Sequence, residues 1–230
     1  MPRIMNFLHH TLAPSSKRGY VARMMWPTIA ILAALFIMSA LFAARLDRFP
    51  GDLVISTWIQ SLTVSGLRSV SVAISIEENG LFISFSIVLI VIGLYLSKWE
   101  KEAFLISGST LTGAIAVEIL KPVVDRPRPS PDLVAVLQES TSSAFPSGNA
   151  GLFGLFLIAL AFTATSRFGR QRDVVAIWCG TILLLLSIGL SRLYLGVHWF
   201  SDVLSGYLFA FVWVLVGIEI KKRLETHFGR

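Results

Sequence analysis

Two residues in the last quarter of the chain, His198 and Asp202, have the types and the spacing of a nucleophilic pair. If a helix begins there, residues four apart lie on one face, so the carboxylate faces the imidazole. A carboxylate bonded to the Nδ1–H fixes the ring tautomer, frees Nε2 to attack phosphorus and stabilises the positive charge that develops. An ordinary His–Asp pair at a membrane interface has the same spacing.

Three cations, Lys121, Arg128 and Arg192, stand next to the ends of apolar segments. Arg offers phosphate oxygens a planar fork and Lys offers a compact point charge, so such a group predicts an anion site. Any one of them alone is equally typical of a basic side chain that reaches toward lipid headgroups. The three together favour recognition of a phosphate group.

The turn Phe145–Asn149 comes just before an apolar segment and contains Ser147 and Gly148. Free backbone N–H groups at a helix N-terminus, together with a small Ser-Gly pair, can hold an oxyanion. Pro-Ser-Gly is also an ordinary turn in front of a helix. This turn therefore contributes to a phosphate site only in combination with the cations.

A metal centre is not expected from the histidines. The three besides His198 are His9, His10 and His227. All three lie near the chain ends, in segments that we expect on the cytoplasmic side of a membrane, whereas His198 is expected on the other side. They could not complete a set of ligands with His198. We therefore expect neither a metal nor another cofactor.

The elements that position these residues must be membrane helices. Hydrophobic residues make up 54% of the 230 residues, charged residues only 15%, and the mean hydropathy is +0.72. So few charges cannot cover a soluble core, which excludes a cytosolic, fibrous or disordered protein. The single cysteine, Cys179, excludes an intrachain disulfide. The net charge of +6 follows from membrane topology and needs no nucleic-acid partner.

Six apolar runs are long enough to cross a bilayer as helices. The sequence therefore predicts an all-α, polytopic membrane protein with a bundle of six transmembrane helices. Between the first two spans, the segment Leu53–Ile76 is expected at the membrane interface; its first half has helical spacing, whereas the second alternates almost as a strand does. The predicted spans are Trp26–Ala44, Gly80–Ser97, Ala103–Leu120, Ala150–Ser166, Val174–Leu190 and Val203–Ile220.

The distribution of basic residues predicts the orientation of the bundle. With both termini in the cytoplasm, 13 of the 20 Lys and Arg residues lie on the inner side, as the positive-inside rule requires. We therefore expect a multi-pass protein of a bacterial inner membrane with its site on the extracytoplasmic side. The organisation is a cytoplasmic segment at residues 1–25, a six-span domain at 26–220 and a basic cytoplasmic tail at 221–230.

Two complete motifs make the chain resemble the type 2 phosphatidic acid phosphatases, also called lipid phosphate phosphatases. The family pattern is K-x6-R-P, then P-S-G-H, then S-R-x5-H-x3-D. Lys121–Pro129 (KPVVDRPRP) fits the first element, and Ser191–Asp202 (SRLYLGVHWFSD) fits the third. The resemblance covers roughly residues 103–220, with the middle element in its proper place before the fourth span.

The resemblance implies a role for each matching position. Lys121, Arg128 and Arg192 would hold the phosphoryl oxygens, and Ser147 and Gly148 would contribute hydrogen bonds. The resemblance further implies that His198 forms a phosphohistidine, that Asp202 orients it, and that no metal takes part. The expected partners are a lipid phosphate or diphosphate substrate and membrane lipids.

The chain departs from the pattern at Asn149, where the family has a second histidine that protonates the leaving oxygen. An amide cannot supply that proton, and general acid catalysis contributes about 10²- to 10⁴-fold to the rate. The loss should matter least for a lipid diphosphate, because a departing phosphate is already a weak base. A departing alkoxide from a phosphate monoester depends far more on protonation.

Several functions therefore stay open at this point. The protein could be a phosphatase biased toward polyprenyl diphosphates such as undecaprenyl diphosphate, or a phosphotransferase that uses such a donor. It could be an ordinary lipid phosphate phosphatase inactivated, naturally or by design, through Asn149. It could also bind or transport phosphorylated lipid without turnover, although an intact His198 argues against that.

Two charged positions near the first motif have less specific interpretations. Glu118 lies one turn before Lys121 and could either pair with it or act as a proton donor, and we favour pairing. Asp125 and Arg126 occupy unspecified positions of the motif and are interpreted as residues that shape the loop or contact headgroups.

Overall fold

The computed structural model of the protein describes residues 15–75, 81–168 and 170–228. Eight helices and no strand occur within these ranges. In chain order they are α1 (Ser15–Ala43), α2 (Asp52–Gln60), α3 (Leu67–Ser75), α4 (Leu81–Leu96), α5 (Glu100–Val124), α6 (Gly148–Phe168), α7 (Gln171–Tyr194) and α8 (Phe200–Phe228).

Five helices are long and apolar enough to cross a membrane: Met25–Ala43 of α1, then α5, α6, α7, and residues 200–227 of α8. The sixth, α4, is a shorter apolar helix at the position of the second predicted span. The predicted class, an all-α polytopic membrane protein, is thereby confirmed. α8 continues past Ile220 and includes the basic residues that were expected to form a tail. The domain limits at 25 and 220 remain predictions.

α6 is the central helix of the bundle and packs against α5, α7 and α8. The buried cluster around it includes Ile106, Leu155 and Val214. α6 and α8 approach closely at Gly154, where an added Cβ would lie 2.8 Å from the Cβ of Ala210. Small residues bring helices together in membranes because backbone packing replaces the missing hydrophobic driving force. This contact fixes the N-termini of α6 and α8 side by side.

The segment between the first two spans forms two short helices, α2 and α3. α2 buries Asp52, Ser56 and Ile59, one turn apart, and exposes Val54 and Trp58 on its other side. The strand-like alternation of the second half does not produce a strand, because α3 packs along α7 and makes its backbone hydrogen bonds within the helix. Residue 76 lies outside the described residues.

Two left-handed residues turn the chain where helices end beside the site. Asp125, with φ of 47°, ends α5 and directs the following residues across the end of the bundle. Gly196, with φ of 69°, begins the connection from α7 to α8. A Cβ on Gly196 would collide with the carbonyl oxygen of Ala135, so glycine is required by both backbone conformation and space. His198 follows in this tight connection.

Candidate active site

His198 lies between α7 and α8 and is only 4% exposed. Its Nδ1 atom is 2.8 Å from the carbonyl oxygen of Ala144 and 3.8 Å from Oδ2 of Asp202. A carbonyl oxygen can only accept, so Nδ1 carries the hydrogen and Nε2 has the free lone pair. Nε2 lies 3.4 Å from a terminal nitrogen of Arg128. Nε2 thus points toward a cation.

The surroundings keep the His198 ring neutral. Burial, the largest effect, lowers the pKa of His198 to about 4; Asp202 opposes the shift, whereas the positive charges of Arg128 and Arg192 add to it. Burial has this effect because a charged imidazolium loses more solvation than the neutral ring. A neutral ring at pH 7 is the form that can act as a nucleophile.

Asp202 does not make the direct bond to Nδ1 that the spacing suggests. α8 begins at Phe200, so His198 precedes the helix and does not share a helical face with the carboxylate. Instead Oδ2 accepts the backbone N–H of Trp199 at 2.8 Å, as an acidic residue does when it reaches back to cap its own helix. Oδ1 accepts from Arg126. Asp202 is therefore a close anionic neighbour of His198. The hydrogen-bond partner of the His198 ring is Ala144.

Arg128 is fixed in place by the loop around it. Its Nε donates to the carbonyl oxygen of Ser142 at 2.6 Å, and one terminal nitrogen donates to the hydroxyl of the same residue at 3.0 Å. The other terminal nitrogen donates to the carbonyl oxygen of Val197 at 2.7 Å and is the one beside His198. These bonds therefore hold the guanidinium in a fixed orientation beside Nε2.

Arg192 is the second cation beside the ring. It lies in the last turn of α7 and is 0% exposed, with one terminal nitrogen 2.9 Å from the hydroxyl of Ser191. That hydroxyl in turn donates to the carbonyl oxygen of Ser71 in α3 at 2.9 Å. Arg192 therefore places a second buried positive charge close enough to His198 to lower its pKa.

Lys121 approaches the same end of the bundle from α5. Its Nζ lies 2.7 Å from Oε1 of Glu118, which is the pairing favoured from the sequence. The glutamate side chain is 68% exposed and the lysine 14%, so solvent reaches the carboxylate and weakens the ion pair. A Cβ on Gly148 would lie 3.3 Å from Nζ, so the ammonium sits against the Ser147–Gly148 turn.

The start of α6 completes the surroundings of the site. Ser147 is fully buried; its backbone N–H donates to the carbonyl oxygen of Asp202 at 3.1 Å, so this amide is already used. Gly206 lets α8 approach closely, since its Cβ would lie 2.9 Å from the Ser147 carbonyl oxygen. Gly148 and Asn149 open α6, where first-turn amides have no acceptor within their own helix. These two amides are the ones available to an anion.

Sequence reasoning missed a buried ion cluster directly behind the site. Arg126, interpreted from the sequence as a loop-shaping or headgroup residue, is 1% exposed and bonds to Asp202, Asp52 and Ser201. Asp52 was not recognised at all. Its only signal in the sequence is that it is the one charged residue of this short helix.

Within the described ranges, no group of three or more His, Cys, Asp and Glu side chains could hold a metal ion. His9 and His10 lie outside those ranges. The expectation of a metal-independent site stays a prediction.

The fold and this arrangement define a class: a helical membrane protein in which a neutral imidazole is buried beside two arginines where helices end. The model of the PAP2 superfamily matches residues 102–225, more than half of the chain. The chain therefore belongs to this superfamily of membrane lipid phosphatases, as the motifs had indicated. The match includes every site residue named from the sequence.

Two curated bacterial proteins are similar to the chain in part of their length. "Phosphatidylglycerophosphatase B" of Bacillus subtilis is 31% identical over 130 residues, which are 54% of this chain and 62% of that protein. "Putative undecaprenyl-diphosphatase YbjG" of Escherichia coli is 30% identical over 100 residues, which are 39% of this chain and 45% of that protein. The chain thus matches less than two thirds of either relative.

Two solved structures have the same fold. A transmembrane PAP2 type phosphatidylglycerolphosphate phosphatase from Bacillus subtilis aligns with a TM-score of 0.73 at 20% identity, covering 85% of this chain and 96% of that one. LpxE of Aquifex aeolicus aligns with a TM-score of 0.61 at 21% identity, covering 76% and 98%. Identities this low establish the shared bundle and leave the substrate open.

Proposed function

We propose that the protein is a metal-independent phosphatase that transfers the phosphoryl group of a lipid phosphate or diphosphate to His198 and then to water. One observation carries the proposal: the nucleophilic Nε2 of a buried, neutral His198 lies 3.4 Å from the fixed guanidinium of Arg128. An anion held by that guanidinium would present its phosphorus to Nε2. Family membership and the names of the two relatives support the same chemistry.

In the first step, Nε2 forms a bond to phosphorus while the bond from phosphorus to the leaving oxygen breaks, and that oxygen keeps the electron pair. Arg128, Arg192 and Lys121 balance the negative charge on the transferring group, which is the main catalytic requirement of phosphoryl transfer. The Nδ1–H stays on the ring, bonded to the Ala144 carbonyl oxygen. Asp202, 3.8 Å away, stabilises the positive charge on the ring.

In the second step, a water oxygen attacks phosphorus, the bond from phosphorus to Nε2 breaks, and the ring recovers its lone pair. The water loses its proton to the departing phosphate or to solvent. A lipid hydroxyl in place of water would give a phosphotransferase, and no described contact favours that acceptor. Hydrolysis is therefore the reaction proposed.

Asn149 bears on which substrate suits the site. It stands at the second residue of α6, next to Gly148 and hence beside Lys121, where its amide can hydrogen-bond a leaving group but cannot protonate it. A leaving phosphate needs this proton least, so we propose that the preferred substrate is a lipid diphosphate. Undecaprenyl diphosphate is the candidate consistent with the name of the relative from Escherichia coli.

The proposed location is a bacterial inner membrane, with both chain termini in the cytoplasm and the site at the extracytoplasmic face. The excess of basic residues on the opposite side supports this orientation. A site at that face could reach lipid headgroups from the outer leaflet.

Trapping the covalent intermediate tests the proposal. The purified protein in lipid nanodiscs would be mixed with undecaprenyl diphosphate labelled with ³²P at the terminal phosphate, quenched in alkali, and digested for mass spectrometry. We expect acid-labile label on His198 together with release of inorganic phosphate. The His198→Ala variant should give neither. Binding of the labelled lipid without label transfer or phosphate release would contradict the proposal and indicate a binding or transport protein.

A further inference from the structure

We propose that Asp52 is a positioning residue for His198: it neutralises Arg126, so that Asp202 keeps its full negative charge for the imidazole. This inference rests on the proposed function of His198. It assigns a role in catalysis to α2, a short helix that contributes no residue to the motifs.

The contacts between the three charged groups are direct and buried. Arg126 donates from one terminal nitrogen to Oδ1 of Asp202 and from the other to Oδ2 of Asp52 at 3.0 Å. The exposed fractions of Asp52, Arg126 and Asp202 are 2%, 1% and 0%. Ser201 joins the group: its hydroxyl accepts from Arg126 at 2.8 Å and donates to Oδ2 of Asp52 at 2.7 Å. Phe49 covers the guanidinium, with its ring centroid 4.6 Å from Cζ.

Asp52 is itself held firmly from both sides. The backbone N–H of Phe49 donates to Oδ2 at 2.7 Å, which ties the carboxylate to the start of its own helix. The backbone N–H of Ser201 donates to Oδ1 at 2.9 Å, which ties it to the first turn of α8. All these partners are donors, so both carboxylate oxygens of Asp52 act as hydrogen-bond acceptors.

Arg126 is connected to His198 through two intermediate residues, Asp202 and Ala144. Its side chain holds Asp202, the anion 3.8 Å from Nδ1 of His198. Its backbone carbonyl oxygen accepts the N–H of Ala144 at 2.9 Å, and the carbonyl oxygen of Ala144 accepts from Nδ1. The residue that fixes the counter-charge therefore also fixes the hydrogen-bond partner of the ring. Holding Asp202 and Ala144 in place would be a sufficient role for Arg126. That role does not require Asp52, the second buried carboxylate bonded to the same guanidinium.

The charge balance gives the reason for Asp52. Arg126 and Asp202 alone would form a neutral pair, and the imidazole would feel little net negative charge from behind. With Asp52 the cluster carries one positive and two negative charges and is a net anion. This net negative charge stabilises the positive charge that forms on the His198 ring when Nε2 attacks phosphorus. Such stabilisation is strong in a buried setting, where solvent does not screen it.

Three variants separate this electrostatic role from a purely structural one. Asp52→Asn makes the cluster neutral, Arg126→Gln gives it two net negative charges, and the double variant restores a single net negative charge with an Asn–Gln hydrogen-bonding pair. We expect kcat to fall about 10-fold in Asp52→Asn with KM within about 3-fold, because substrate binding is not touched. The double variant should recover most of this loss.

The titration of His198 supplies a readout that does not depend on turnover. The chain has only four histidines, so ¹⁵N-histidine spectra in nanodiscs can be assigned with His198→Gln. The charged groups that face the ring are Asp202, Arg128 and Arg192, and all are unchanged in these variants. We expect the midpoint to move down in Asp52→Asn, up in Arg126→Gln, and back toward wild type in the double variant.

Shifts of the two single variants in the same direction, or a double variant no better than Asp52→Asn, would overturn the inference. If Arg126→Gln does not fold because of its extra buried charge, the comparison of Asp52→Asn with the double variant still decides. Glu102→Gln is the matched control, since it removes a carboxylate 3.1 Å from Lys221 at the other end of the bundle. Its kcat and its His198 midpoint should equal those of the wild type.

The two possible failures are distinguishable. If the proposed function is wrong, the wild-type protein releases no phosphate and carries no label on His198, yet the titration shifts can still appear. If only the inference is wrong, the wild type turns over and the midpoints do not move in opposite directions. The kinetic and spectroscopic measurements together therefore assign the error to one or the other.

Discussion

Nδ1 of His198 is hydrogen-bonded to the backbone carbonyl oxygen of Ala144 at 2.8 Å, and not to the side chain of Asp202, four residues on. In a Ser-His-Asp triad the carboxylate both fixes the tautomer and stabilises the charged ring, and its loss costs about 10⁴-fold because the tautomer becomes wrong. In the mechanism proposed above, these two tasks are divided between two groups. A backbone carbonyl fixes the tautomer, and Asp202 is left with the electrostatic task.

This division predicts a moderate effect for Asp202→Asn. We expect kcat to fall about 10²- to 10³-fold, less than the loss typical of a triad, because Ala144 still holds the Nδ1–H. The variant should also be less stable, since Arg126 loses a buried partner. Steady-state kinetics and a thermal melt check both effects. A loss equal to that of His198→Ala in a folded protein would contradict the divided roles.

The pH dependence follows from the buried ring. Burial lowers the pKa of His198 to about 4 from an ordinary value of 6.5, against the opposing effect of Asp202. Because only the neutral ring has a free Nε2 lone pair, the nucleophile should persist down to about pH 5 and be lost as the pH falls through about 4. ¹⁵N-histidine spectra should report a neutral His198 at pH 6. A midpoint near 6.5 would show that the ring is solvated.

Substitution of the amide at the start of α6 tests the substrate preference. We expect Asn149→His to raise kcat for a lipid phosphate monoester by about 10²-fold or more, because a general acid becomes available for the alkoxide. The gain for a lipid diphosphate should be less than about 10-fold. Phosphate release from both substrates is compared for the two proteins. Equal rescue on both substrates would eliminate the diphosphate preference and indicate an inactivated enzyme.

Glu118→Gln distinguishes the two interpretations of that residue. If Glu118 only pairs with Lys121, its removal should free the ammonium for substrate, lowering KM by about 2- to 5-fold with kcat unchanged, since open ion pairs are weak. A steep fall in kcat would instead identify it as a proton donor. Glu225→Gln is the control, because Glu225 lies 3.4 Å from Lys101 in a solvent-exposed pair at the other end of the bundle.

Cysteine labelling tests the proposed orientation. In a Cys179→Ser background, Glu139→Cys would place a thiol in the exposed loop before α6, and Glu225→Cys would place one near the opposite end of α8. An impermeant maleimide added to intact cells should label only the first. Both should react after the cells are opened, which controls for reactivity. Labelling of Glu225→Cys alone in intact cells would reverse the topology.

The long apolar runs determined the class of the protein without tertiary information. A helix that crosses hydrocarbon must satisfy its own backbone hydrogen bonds, so length and apolarity are enough to predict it. The motif residues could be named for a related reason: a phosphate site needs a limited set of cations and a nucleophile, and these stood out in so apolar a chain. The α2–α3 segment could not be read in the same way, because its short helices depend on contacts with α7 and α8.

Only the tertiary structure decided which partner each of those residues contacts. The spacing of His198 and Asp202 suggested a direct bond, but α8 begins after the histidine, and the ring instead contacts a carbonyl from the loop before α6. Asp52 lies 150 positions before Asp202 in the sequence, and Arg126 joins them. The sequence alone determined the kind of chemistry, because residue types carry it. The partner of each charge was decided by the fold, because electrostatic interactions depend on distance in space and burial, which sequence separation does not record.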